Sequence, residues 1–163
     1  MAGRGAATAA PFFWGKFPSS KPSKKAAQLG STDAGRAKWV ESLSNELEVP
    51  AAFVYKRRRG PEETEVTAVS TRLAGEPVVI YDDMIRTGGS LMNAARAYRQ
   101  SGAGRLFAIA THGEFADDAF ARLRASGLFE AIACTDSHPR ARNFRDQGLI
   151  VRPIAALFCP YLR

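Results

Sequence analysis

No stretch of this sequence approaches the roughly 20 consecutive apolar residues that a membrane-spanning helix needs. Apolar residues nevertheless make up 45% of its 163 residues, enough to bury the core of one domain of ordinary size in water. Cysteine is scarce. Only Cys134 and Cys159 occur, both in apolar stretches, which predicts two buried thiols in a reducing compartment rather than a disulfide or a sulfur-ligated metal. Zinc-finger spacing, RNA-recognition signatures and basic-aromatic stripes are missing, so neither nucleic acid nor membrane is an expected partner. Acid is absent from residues 1–32, where Arg4, Lys16, Lys21, Lys24 and Lys25 supply +5 of the net +7 and leave only +2 for the remainder. Such a lopsided charge reads as a solvated basic arm, with part of the surplus available to a phosphate-binding site.

The first thirty residues are rich in Ala, Gly, Pro, Ser and Lys, with Phe12, Phe13 and Trp14 as an isolated aromatic cluster. Nothing in them repeats with a helix or strand period. Their lack of acids also fits an organellar transit segment, but Pro11, Pro18 and Pro22 interrupt any long amphipathic helix. The expectation is a disordered basic leader over residues 1–30, a folded domain over residues 31–163, and a cytoplasmic protein.

Regular patterning begins at Ser31. Ala37, Val40, Leu43, Ser44 and Leu47 recur at spacings of three and four, which predicts a helix over residues 34–48, ended by Pro50. Residues 51–55 (AAFVY) read as a buried strand, residues 56–60 as a very basic loop, and residues 65–70 as a second strand. Continuous apolar strands follow at 78–81, 106–110 and 131–134, with a last one near 149–154 and helices over 91–100 and 116–125. Strands apolar along their whole length need cover on both faces. The pattern therefore predicts an α/β fold, a parallel sheet with helices on both faces, whose ligands sit at the carboxyl ends of the strands.

Four segments follow strands directly, and the most informative is residues 78–90, VVIYDDMIRTGGS. An apolar strand delivers two adjacent carboxylates, Asp82 and Asp83. Met84, Ile85 and Arg86 lead to a Thr87-Gly88-Gly89-Ser90 turn that opens a helix. Glycines let the backbone approach a ligand closely. Amides at the helix start, with the Thr87 and Ser90 hydroxyls, form a nest for a phosphate dianion. Carboxylates repel phosphate but accept well from two vicinal hydroxyls, or hold a magnesium ion that carries them. Phosphate donors beside diol acceptors describe a ribose 5-phosphate.

This segment resembles the ribose-5-phosphate loop shared by type I phosphoribosyltransferases and ribose-phosphate pyrophosphokinases. The neighbouring residues favour the second family. Thr32-Asp33-Ala34-Gly35-Arg36-Ala37-Lys38 is similar to its pyrophosphate loop, and residues 51–58 (AAFVYKRR) to a strand leading into its flexible catalytic loop. Thr111-His112-Gly113-Glu114-Phe115 and Thr135-Asp136-Ser137 resemble its later strand-end turns. The resemblance implies a phosphoribosyltransferase type I-like fold. The implied activity is ribose-phosphate diphosphokinase, which moves the diphosphoryl group of ATP to ribose 5-phosphate and yields phosphoribosyl pyrophosphate and AMP.

By the same resemblance, residues 82–90 bind the sugar phosphate, Asp33, Ala34, Gly35 and Arg36 bind pyrophosphate, and Asp33 also holds the cofactor Mg2+. Lys56 and Arg58 become the catalytic cations, although KRRR alone reads as a solvated loop. Asp33 also suits a helix N-cap, and the two roles are compatible. His112 reads as the anchor of a turn and His138 as loop.

The pattern departs from the family in two places. Arg86 stands where the synthetases usually carry an acid, which adds positive charge beside the sugar-phosphate site. Family members are about twice as long and built from two similar domains, and even the strand expected before Asp33 is replaced by residues 26–30 (AAQLG). The chain therefore resembles the carboxy-terminal half of a synthetase behind an unrelated leader, acting as a homo-oligomer or with a full-length homologue. Two alternatives stay open: a type I phosphoribosyltransferase that consumes phosphoribosyl pyrophosphate, and a non-catalytic regulatory subunit of the synthetase.

Overall fold

The computed structural model describes residues 27–58, 64–155 and 159. In chain order the elements are β1 (Gln28–Ser31), a 3-10 turn (Ala34–Arg36) that runs into α1 (Ala37–Leu47), β2 (Ala51–Ala52), β3 (Val54–Arg58), β4 (Thr64–Val69), β5 (Val78–Ile85), α2 (Gly89–Gln100), β6 (Leu106–Gly113), α3 (Ala119–Ala125), β7 (Ala131–Thr135), a second 3-10 segment (Pro139–Gln147) and β8 (Ile150–Arg152). Six strands form one parallel sheet in the order β2-β1-β5-β6-β7-β8, and β3 pairs with β4 in a separate antiparallel hairpin. Among the described residues, no helix is long and apolar enough to cross a membrane.

Strand alternation sorts the apolar runs onto two faces. Val79 and Tyr81 of β5, with Phe107 and Ile109 of β6, pack beneath the Val40, Leu43 and Leu47 stripe of α1. Val78 and Ile80, with Leu106 and Ala108, meet Leu91, Ala95 and Tyr98 of α2 and Phe120 and Leu123 of α3. Helices therefore cover both faces, as the continuous hydrophobic strands require.

Five local expectations need correction. Residues 26–30, expected to stand in place of a strand before Asp33, are in large part a strand: Gln28–Ser31 is β1, paired on both sides. Its neighbours supply what local propensity lacks. Gly30 is required there, because a Cβ would come within 2.8 Å of the Tyr98 ring. The sheet thus takes in part of the stretch assigned to the leader, while residues 1–26 lie outside the described ones. Residues 51–55 divide at Phe53, whose N–H and carbonyl turn to Ser70 at 2.9 and 2.8 Å, so β2 stays in the sheet while β3 leaves it. The backbone of residues 56–58, expected as loop, belongs to β3, and residues 59–63 lie outside the described ones. Helix α3 starts at Ala119 rather than 116, because Asp117 takes a left-handed φ of 51° that no helix accommodates. Cys134 is buried, but Cys159 is exposed.

One side chain joins the strands that matter most. Tyr98 is fully buried, and its hydroxyl lies 2.9 Å from both the Ser31 and Ala52 carbonyls, at the ends of adjacent strands β1 and β2. A single proton serves both acceptors. Tyr98→Phe keeps the ring but removes the buried donor that both carbonyls share, and we expect a loss of about 1–2 kcal/mol in denaturant unfolding. An unchanged midpoint would show that the hydroxyl ties nothing.

Candidate functional site

Because the sheet is parallel, the segments after β1, β5, β6 and β7 emerge at one edge. The β1 and β5 segments are neighbours, with Ser31 in register with Tyr81. After β1, Asp33 caps the turn: its Oδ1 accepts from the Arg36 amide at 3.2 Å. Arg36 then reaches across, with Nη2 2.7 Å from Asp83 Oδ2 and Nε 3.9 Å from Asp82 Oδ1.

Strand β5 runs farther than its apolar part, to Ile85, and so carries both aspartates within the ladder. Period two sends them to opposite sides. Asp82 is buried at 8% exposure, while the Asp83 side chain is 47% exposed. Burial pushes the Asp82 carboxyl up to about 6, reinforced by the hydrogen bond and the negative charge of Asp83; the Asp83 amide and the Arg36 guanidinium oppose the shift.

The turn that follows is a tight glycine bend. Gly88, the N-cap of α2, has φ 77°, and a Cβ there would also press on Leu123 at 3.0 Å. Gly89 starts the helix. A cavity of about 120 Å³ lies in this bend, lined by Asp82, Met84, Ile85, Arg86, Thr87, Gly88, Ser90 and Leu91. Arg86 stands at its rim, 71% exposed, with Nε 3.5 Å from Glu114.

The sequence did not mark Arg122. From α3 its guanidinium donates to the Thr87 carbonyl at 3.3 Å and pairs with Asp118, which tethers the helix to the glycine turn. The only local signal was an ordinary i,i+4 charge pair. Also unforeseen is the interlock of the two later strand ends. Thr135 Oγ1 donates to the Thr111 carbonyl at 2.6 Å and accepts from the Ser137 amide at 3.1 Å. His112 Nδ1 lies 2.7 Å from Ser137 Oγ and so anchors a turn, while His138 caps the second 3-10 segment.

The structure thus gathers Asp33–Arg36 and residues 82–90 at one edge. It places the backbone of β3, which carries Lys56 and Arg58, against α2 and the Ala34–Arg36 turn. Among the described residues, no three His, Cys, Asp or Glu side chains cluster as a metal cage. Magnesium rarely needs one, since it keeps waters and takes one or two carboxylates alongside substrate phosphates. The carboxylate oxygens of Asp33, Asp82 and Asp83, at this edge, are donors of that kind.

The raised Asp82 carboxyl has a definite consequence for stability. Its pKa is higher folded than unfolded, so its contribution is complete below about 3.8 and is lost as pH rises through about 6. Asp82→Asn should abolish that decline. We expect the variant's advantage in denaturant titrations to grow from near zero at pH 3.5 to roughly 1–3 kcal/mol at pH 7. A pH-independent difference would contradict this.

Comparison with known proteins agrees with the geometry. A family model described as the phosphoribosyl synthetase-associated domain matches residues 19–155. The ribose-phosphate pyrophosphokinase of Synechococcus elongatus is 35% identical over 128 residues, which are 78% of this chain and 39% of that protein. The crystal structure of phosphoribosylpyrophosphate synthetase from Mycobacterium smegmatis superposes with a TM-score of 0.73 at 31% identity, over 85% of this chain and 44% of that one. Adenine phosphoribosyltransferase from Thermoanaerobacter pseudethanolicus, at TM-score 0.51 and 16% identity over 90% of this chain and 77% of its own, shares the fold. The chain spans about two fifths of the length of the curated relatives it matches. Its fold is that of the type I phosphoribosyltransferases, and the chain belongs to the phosphoribosyl synthetase-associated domain family.

Proposed function

We propose that this chain is the ribose-5-phosphate-binding part of a ribose-phosphate diphosphokinase. The observation that carries the reading is a single one: Asp82 of β5 and the glycine turn that opens α2 line one cavity, with Asp83 beside Asp82 on the same strand and separated from Gly88 by four residues. Amides at the start of α2 and the Thr87 and Ser90 hydroxyls hold the 5-phosphate, where the helix dipole favours a dianion. Asp82 and Asp83 accept from the 2- and 3-hydroxyls and so fix the sugar ring. Arg86 adds positive charge at the cavity rim.

Held in this way, the sugar presents its 1-oxygen toward the β1 edge. In the reaction that oxygen attacks the β-phosphorus of ATP, the bond from that phosphorus to the oxygen of AMP breaks, and the hydroxyl proton goes to solvent. Protein chemistry here is positioning and charge stabilisation. The Asp33–Arg36 turn receives the diphosphoryl group. Lys56 and Arg58, on the adjacent β3, neutralise charge that builds during transfer. Bound magnesium, held through Asp33, would screen the phosphates. Two free thiols suit the cytoplasmic setting in which we place the reaction. Adenine contacts come from another domain or subunit, in a homo-oligomer or with a full-length homologue.

Calorimetry with magnesium tests the reading. Ribose 5-phosphate binds, and Asp82→Asn/Asp83→Asn weakens it by at least about 100-fold, the worth of two charged hydrogen bonds. Lys56→Ala/Arg58→Ala keeps that affinity and, in the presence of the full-length homologue that supplies the adenine contacts, loses AMP release. Unaltered affinity in the aspartate variant would end the proposal. Pyrophosphate release from phosphoribosyl pyrophosphate and a base would favour the transferase instead.

A further inference from the structure

Arg36 occupies an unexpected place. It belongs to the turn that the proposed function gives to pyrophosphate, yet its guanidinium sits on the two carboxylates given to the sugar, 2.7 Å from Asp83 and 3.9 Å from Asp82. Its backbone is fixed, because the amide donates to Asp33 Oδ1 at 3.2 Å. Its side chain is not enclosed: it is 37% exposed, and its Asp83 partner 47%. An ion pair that open to water is held weakly and exchanges partners readily. At the other end of the same turn, the buried hydroxyl of Thr32 finds no hydrogen-bond partner among the described residues. The turn therefore keeps one polar group unused and spends its cation on groups that a sugar would claim.

We infer that Arg36 is shared between the two subsites and couples them. A vicinal diol that hydrogen-bonds to Asp82 and Asp83 takes the acceptors Arg36 now uses. The freed guanidinium then offers its forked donors to a diphosphate, whose oxygens match that geometry better than a single ammonium would. In the other direction, a diphosphate that draws Arg36 away uncovers the carboxylates for the sugar. Each ligand removes a competitor of the other, so coupling is positive and of equal size in both directions. The inference rests on the sugar-binding reading of residues 82–90, and its test separates the two.

The test is calorimetry with ribose 5-phosphate and with inorganic pyrophosphate, each alone and in the presence of the other, in magnesium buffer. In the unmodified chain, each ligand tightens the other by about two- to fivefold, the range set by a half-exposed ion pair. Arg36→Gln binds ribose 5-phosphate two- to fivefold tighter on its own, binds pyrophosphate more weakly, and shows no coupling. Arg36→Lys keeps the charge and retains a reduced coupling. Independent binding in the unmodified chain, or an Arg36→Gln variant whose sugar affinity is equal or lower, overturns the shared arginine and leaves the sugar site standing. Failure of the unmodified chain to bind ribose 5-phosphate removes both.

Discussion

The parallel register between β1 and β5 sets where every charged group of the site lies. Ser31 stands beside Tyr81, so the residues after each strand, Thr32 to Arg36 and Asp82 to Ser90, leave the sheet side by side. A shift of one residue would send Asp82 to the α1 face and bring Asp83 under α2, and neither the carboxylates nor the glycine turn would stand beside Thr32 to Arg36 as they do now. The register is held from three directions. β2 pairs with β1 on its outer side, Tyr98 joins the ends of both, and Gly30 clears the space for that ring. Much of the core on the α2 face therefore serves to place one loop against another.

Charge placement then follows from burial. Two adjacent carboxylates at a strand end are costly, and the cost falls on Asp82, which is buried, more than on Asp83, which meets water. Arg36 offsets part of it from the turn after the neighbouring strand. A few residues on, the backbone supplies the opposite sign through the amides that open α2. The site is thus divided into an acceptor half and a donor half, an arrangement suited to a ligand with hydroxyls at one end and phosphate at the other. Leu123 under Gly88 and Arg122 on the Thr87 carbonyl hold the donor half in shape from α3.

What could be read from the sequence was what is contiguous in it. The apolar runs at residues 78–81 and 106–110 announce buried parallel strands without help, and DDMIRTGGS brings its chemistry in one segment. Strand β1 could not be read this way, because Gln28 and Gly30 are weak strand formers that become a strand only between two partners. Nor could the break at Phe53, since AAFVYKRR has one uninterrupted strand-like composition and the separation depends on Ser70, far along the chain. Arg36 on Asp83, Arg122 on Thr87 and the Thr111–Thr135–Ser137 interlock all join residues from different elements. No periodicity encodes those meetings. They follow from sheet order, which the sequence left open.

The most direct measurement is a crystal structure with magnesium and ribose 5-phosphate. The account predicts the 5-phosphate oxygens about 2.7–3.2 Å from the amides at Gly88 to Ser90, and the 2- and 3-hydroxyls within about 2.6–3.0 Å of the Asp82 and Asp83 carboxylates. Sugar phosphate bound elsewhere, or bound here with its hydroxyls turned away from both aspartates, would contradict it.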